Sequence, residues 1–139
     1  MNDDLTTKPD SYWKERLTDE QFRVLRLQGT EAPGSGHLLY NESDGYYTCA
    51  GCGTRLFKSD AKYESTMPGL IGWPSFSEMI TADVATERPD NSLGERRTEV
   101  ICKTCGGHLG HLFDDETSPN GKHYCINSAA LSFTPEKND

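Results

Sequence analysis

The chain has 139 residues, a formal net charge of -8 and a hydrophobic content of 34%. That length suits one domain with a single core, and so low an apolar content calls for stabilisation beyond burial, such as a structural metal. The acidic balance argues against nucleic acid or an anionic membrane as the main partner. No run approaches the roughly 20 apolar residues that span a bilayer, and the polar, acidic start MNDDLTTKPD is unlike a targeting peptide. The expected location is therefore the cytoplasm.

Residues 1–10 lack periodicity and are expected to form a disordered tail before a single domain at 11–135. Ser11 to Arg16 suits a short helical turn. Thr18-Asp19-Glu20-Gln21 reads as a capping box in which Thr18 caps and Gln21 reaches back, with Leu17 and Phe22 as its hydrophobic staple. The helix should run to about Gln28 and stop at Gly29. From Gly45 onward, short aromatic and β-branched runs alternate with Gly, Pro, Asn and Asp, the pattern of antiparallel strands and turns. Strands are predicted at Tyr46–Cys49, Arg97–Cys102, His108–Phe113, His123–Asn127 and Ala129–Phe133. The polar stretch Thr86–Gly94 is read as a surface loop. The predicted class is mainly β, with short helices at the N-terminal end.

Four of the five cysteines form two CxxC pairs, Cys49/Cys52 and Cys102/Cys105, each followed by Gly. Such turns aim two thiolates at one metal, and two of them complete a closed, structural tetrahedral Zn2+ site. A lone CxxC could instead be a redox disulfide, but two matched pairs among strands favour zinc. Cytosolic thiols are kept reduced, which points the same way.

Cys125 is left over. A buried core cysteine is the bland reading. Strand alternation, however, places His123, Cys125 and Asn127 on one face, with Tyr124 and Ile126 on the other. His108 and His111 would face opposite ways in a regular strand unless a bulge at Gly110 turns both to one site. Gly72-Trp73-Pro74-Ser75-Phe76 presents a rigid indole at a turn, with Phe76 as core.

Together LTDEQFRVLRLQGTEAP, GYYTCAGCGTRLFKS, GWPSF, RRTEVICKTCGGHLGHLFDD and HYCINSAALSF resemble the methionine-R-sulfoxide reductase B family, over Leu17 to Phe133. The resemblance implies two packed antiparallel sheets with one structural Zn2+, held by Cys49, Cys52, Cys102 and Cys105. It implies reduction of the R epimer of methionine sulfoxide in oxidised proteins or peptides. Cys125 would be the nucleophile that becomes a sulfenic acid. His108, His111 and Asn127 would orient substrate and water and help protonate the sulfoxide oxygen. Trp73 would pack on the ε-methyl, within a substrate-binding set of Trp73, His123 and Phe113.

Two departures stand out. The family usually has Arg where this chain has His123, and a protonated His123 is expected to assist Cys125, with activity falling more steeply above pH 7 than in Arg-bearing relatives. The stretch Ser65 to Ile71 is longer than usual and lacks the resolving cysteine that many members carry there. An external thiol, such as thioredoxin, glutaredoxin or a small thiol, should therefore regenerate the enzyme, and a monomer is expected. The rivals are an aromatic-cage binding module with an inert Cys125 and a nucleic-acid-binding zinc ribbon, which the charge disfavours.

Overall fold

Strands that alternate aromatic and polar residues have one face to bury, and two such sheets bury it against each other. The computed structural model describes residues 5–66, 71–90 and 97–136. In chain order the strands are β1 (Gly45–Cys49), β2 (Arg55–Lys58), β3 (Lys62–Tyr63), β4 (Ser75–Phe76), β5 (Ala85–Asp90), β6 (Arg97–Cys102), β7 (His108–Asp114), β8 (Lys122–Ile126) and β9 (Leu131–Pro135). They form a three-stranded sheet, β2-β1-β9, and a six-stranded sheet, β3-β4-β8-β7-β6-β5, with every pairing antiparallel. The expected two-sheet architecture is what forms.

Aromatic rings fill the space between the sheets. Phe57 stacks on Phe76 with ring centres 4.1 Å apart, and Tyr47 meets Phe76 edge-on at 5.0 Å. Tyr124 approaches Phe57 at 5.9 Å. Each such pair contributes about 0.5–1.5 kcal/mol beyond its buried area, which compensates in part for the modest apolar content.

Helix α1 (Asp10–Lys14) buries Trp13, and α2 (Asp19–Leu27) buries Phe22, Val24 and Leu25. Both capping-box bonds are present: Gln21 N–H to Thr18 Oγ1 at 3.1 Å, and Thr18 N–H to Gln21 Oε1 at 2.8 Å. The helix ends slightly earlier than expected. Gln28, not Gly29, takes the left-handed conformation, at φ 59°, because its side chain is tied to Glu99 on β6. Gly29 serves the close approach instead: its N–H reaches the carbonyl of Arg23 at 2.9 Å, where a Cβ would lie 2.8 Å from that oxygen.

Other expectations are corrected. Thr86–Asp90, read as part of a surface loop, lies in strand β5; its polar, exposed composition and Pro89 suit a sheet edge, which propensity reads poorly. Residues 91–94 of that stretch lie outside the described residues. Ser128–Ala130 is a 3-10 turn, so the last strand begins at Leu131 rather than Ala129. Strand β8 stops at Ile126, one residue before Asn127. Of the N-terminal ten, residues 1–4 lie outside the described residues, and Leu5–Thr7 form a 3-10 turn with Leu5 packed on the core. The long stretch before Trp73 falls partly outside them too, at 67–70.

The expected bulge in β7 is present. Val100 pairs with Gly110 but Ile101 pairs with His108, which leaves Leu109 as the extra residue, buried in the core. Gly110 is required here because a Cβ would collide with the carbonyl oxygen of Cys125. Gly110→Ala should therefore force β7 from β8 and cost about 1–3 kcal/mol. Urea unfolding measures this; an unchanged midpoint would show that the strands do not meet this closely.

Candidate active site and metal centre

The two CxxC turns sit at equivalent corners of the two sheets. Cys49 and Cys52 lie where β1 turns into β2, and Cys102 and Cys105 where β6 turns towards β7. Gly53 (φ 81°) and Gly106 (φ 77°) supply the left-handed residue that closes each turn. Their N–H groups donate to the carbonyls of Cys49 and Cys102 at 2.8 and 2.7 Å. All four sulfurs lie within 4.8 Å of one another, and the Cys49–Cys105 and Cys52–Cys102 separations are both 3.6 Å. Four thiolates at tetrahedral Zn–S distances of about 2.3 Å stand about 3.8 Å apart, so this cluster fits Zn2+. A metal here would join the small sheet to the large one. The helices cover it, with Arg26 Nη1 donating to the Cys105 carbonyl at 2.9 Å.

One cross-strand row runs the full width of the large sheet. In register, Arg88 on β5 pairs with Glu99, Glu99 with His111, His111 with Cys125, Cys125 with Ser75, and Ser75 with Tyr63 on β3. Residues directly opposite share a face, so this is the face away from Tyr124 and Ile126. The bulge at Leu109 restores His108 to the same side, and the two imidazoles lie 5.4 Å apart between ring centres.

Each of the three histidines in this region has a carboxylate. His108 Nδ1 lies 2.6 Å from Glu99 Oε2. His111 Nε2 lies 2.8 Å from Asp90 Oδ2, and His123 Nδ1 lies 3.1 Å from Asp115 Oδ2. Glu99 is 1% exposed. Burial opposes its charge, but hydrogen bonds from Gln28, Arg88 and His108 outweigh that and hold its carboxyl below the usual range. Burial pushes His108 below its usual value, against the pull of Glu99. His108 Nε2 is buried and has no protein partner among the described residues. Neither Glu99, Asp90 nor Arg88 was expected from sequence; Asp90 and Arg88 sit on the misread β5. The signal available for Glu99 was a charge inside the apolar strand pattern Thr98-Glu99-Val100-Ile101.

Cys125 is half-buried. Burial, reinforced by the negative charge of Glu31, raises its thiol to about 12. The resting group is therefore a thiol, and its proton must move during any attack by sulfur.

The remaining expected residues are held differently from one another. Phe113 is half-buried, its ring 6.3 Å from His111 and 6.4 Å from His123. Trp73 follows Gly72 (φ 111°) and donates through Nε1 to the Glu31 carbonyl at 3.0 Å. Asn127 accepts from the Glu31 N–H at 3.0 Å and donates to the Leu109 carbonyl at 3.1 Å, so both ends of its amide hold backbone. Glu31, also unforeseen, accepts from the N–H groups of Ser128 and Ala129 at 2.9 Å each. Through these bonds one buried residue fixes Trp73, Asn127 and the turn after Cys125.

His123 sits where the family usually has Arg. It is completely buried, and its other nitrogen, Nε2, lies 2.8 Å from Ser75 Oγ. Burial pushes it below its ordinary value despite Asp115. Both of its ring nitrogens are engaged, one by Ser75 and one by Asp115.

The SelR domain model matches residues 17–135 of this chain. A peptide methionine sulfoxide reductase MsrB from Methanosarcina mazei is 51% identical over 130 residues, covering 94% of this chain and 90% of that protein. One of the same name from Leptospira interrogans is 50% identical, covering 93% and 95%. The mitochondrial methionine-R-sulfoxide reductase B2 of Homo sapiens is 48% identical, covering 91% and 71%. Among the described residues, no helix is long and apolar enough to cross a membrane.

His108, His123 and Glu99 shift downward, which sets a pH dependence of stability. Buried His108 and His123 resist protonation, so folding loses support as pH falls below their ordinary value of 6.5. Glu99 is held below its ordinary 4.5, so the support from its charge is complete above that pH and disappears as pH falls further. The thermal midpoint should therefore drop progressively from pH 7.5 to pH 4. A midpoint that rises over this range would contradict the burial of these groups.

Proposed function

This chain belongs to the SelR-domain family, and on that premise we propose that it reduces the R epimer of methionine sulfoxide in oxidised proteins and peptides. The observation that carries the reading is the row that sets Cys125 directly opposite His111, with His108 brought to the same face by the bulge. In the reaction, Cys125 sulfur attacks the sulfoxide sulfur and methionine leaves with two more electrons on its sulfur. Cys125 ends as a sulfenic acid, and its former thiol proton ends on the transferred oxygen. The balance needs no outside proton, only a path from sulfur to oxygen.

The carboxylate-backed imidazoles supply the far end of that path. Glu99 supports a proton on His108, whose Nε2 is the atom without a protein partner among the described residues; Asp90 orients His111 through its Nε2. Trp73, oriented by Glu31, is the apolar wall for the substrate methyl, and Phe113 packs by His111 and His123. Trp73, Ser75 and Tyr63 also line a cavity of about 430 Å³, which gives room for the polypeptide next to the oxidised side chain.

Cys49, Cys52, Cys102 and Cys105 would hold Zn2+, which supplies a structural clamp and no redox chemistry. Because those four are the only other cysteines in the chain, no spare thiol remains to resolve the sulfenic acid. Thioredoxin or another external thiol does so, and two rounds of thiol attack return Cys125 to the reduced form. The aromatic-cage alternative requires an inert Cys125, and the polar, histidine-lined face around it speaks against that.

The test uses zinc-loaded protein, dithiothreitol and a peptide with resolved R and S epimers. Only the R epimer should disappear, and Cys125→Ser should abolish its loss. Consumption of neither epimer by folded protein would favour a binding module. In the same assay Glu99→Gln, which keeps the shape but not the charge, should lower kcat about ten- to hundredfold with little change in KM. An unchanged kcat would remove the Glu99–His108 pair from the proton path.

A further inference from the structure

Large apolar side chains stand exposed at three places among the described residues: Leu27, Tyr40 and Ile71, at 58%, 80% and 59%. Scattered singly, such residues are ordinary. Tyr40 and Ile71, however, line the same cavity as Trp73. That cavity opens between the segment before β1, the edge strand β3 and the turn into β4. Its volume of about 430 Å³ falls within the roughly 300–1,000 Å³ of sites that hold ligands. Ser75 is part of its lining and is the register partner of Cys125. Adjacent strands lie about 4.8 Å apart, so the cavity begins one strand spacing from the strand of the sulfur. A polypeptide whose oxidised methionine enters beside Trp73 has its neighbouring residues within reach of this space.

The charge of the lining is one-sided. Its charged residues are Glu42, Asp44, Glu64 and Lys62. The acids are exposed, whereas Lys62 is half-buried. Lys62 Nζ donates to the Leu39 carbonyl at 2.7 Å. Burial works against its charge, which Glu42 and Glu64 support. The one cation is thus tied to the backbone, and the lining stays net negative. Carboxylates and aromatic faces are the groups that attract an ammonium or guanidinium, and the exposed ring of Tyr40 lines the cavity together with the acids. An acidic segment would meet like charge there.

We propose that this cavity receives the residues flanking the oxidised methionine and selects substrates that carry Lys or Arg next to it. Glu42, Asp44 and Glu64 set the charge preference, and Tyr40 and Ile71 supply the apolar contact. The proposal rests on the reductase reading above and names the substrate class of that same site. Continuity with Trp73 and Ser75 makes the occupant the substrate polypeptide rather than a protein reductant. The chemistry at Cys125 is unchanged, and the preference is one of binding.

The test uses zinc-loaded protein with dithiothreitol, so that no protein reductant takes part. The peptides differ only in carrying Lys, Gln or Glu beside R methionine sulfoxide, on either side. At about 0.02 M salt, kcat/KM should favour Lys over Glu about three- to tenfold, through KM, and the ratio should collapse at about 0.5 M. Glu42→Gln with Glu64→Gln should bring the ratio close to one, and Glu42→Lys with Glu64→Lys should reverse it. Glu15→Gln with Glu87→Gln, exposed acids outside the lining, makes the same change in net charge as the Gln pair and should keep the wild-type ratio. Tyr40→Ala should raise KM for the Lys peptide about two- to fivefold with little change in kcat.

Equal kcat/KM for the Lys and Glu peptides in the wild type would overturn the proposal. So would a Lys preference that survives in Glu42→Lys with Glu64→Lys, or one lost equally in the Glu15 and Glu87 pair, which would assign it to the overall charge of -8. A charge reversal that shifts only the KM for thioredoxin would assign the cavity to the reductant and overturn it too. Loss of the R epimer from none of the peptides would instead overturn the underlying reading, so the two failures are distinct.

Discussion

Where β7 crosses β8 there is no space for a side chain at position 110, because the carbonyl of Cys125 occupies it. This contact ties the strand of Cys125 to the strand of His108 and His111 at one fixed register. A slip of one residue would send every side chain to the opposite face. The bulge at Leu109 then does what no regular strand can, placing residues three apart on the same side. Leu109 itself turns into the core and anchors the distortion by burial. The apolar packing and the polar site are thus two faces of one arrangement.

The same sheet explains why the site is rigid. On one face Phe76, Tyr124 and Ile126 are locked among aromatic rings. On the other, His108, His111 and His123 are each oriented by a carboxylate, from β6, β5 and the turn after β7. The thiolate cluster joins the β1–β2 turn to the β6–β7 turn, so a metal there would hold the small sheet against the large one. Gln28 at the end of α2 reaches Glu99, linking the helix terminus to the same row. A polar face of this kind stabilises the fold poorly, and the aromatic core compensates, as would a metal on the four thiolates.

Motifs with tight local geometry were legible before the structure. The capping box at Thr18, the two CxxC turns and the need for a bulge beside Gly110 follow from chemistry confined to a few neighbouring residues. Partnerships across the sheet were not. Arg88 and Asp90 sit on an exposed polar strand whose composition matches a loop, and only pairing with β6 makes it a strand. His123 stands where the family usually has Arg, and nothing local showed that it would be buried between Asp115 and Ser75. Glu31 gave no local sign that its amide, carbonyl and carboxylate all serve the site. The contacts of Glu31 lie 42 to 98 positions away in the chain, which no spacing rule reveals.

The account turns on one atom, the sulfur of Cys125, taking the oxygen. A single turnover without any reductant tests that directly. Reduced, zinc-loaded protein is mixed with excess R sulfoxide peptide and dimedone, and the digest is read by mass spectrometry. One methionine formed per chain, with the dimedone adduct on Cys125, is the predicted result. Methionine formed while Cys125 stays an unmodified thiol, or while the oxidation resides on Cys49, Cys52, Cys102 or Cys105, would contradict it.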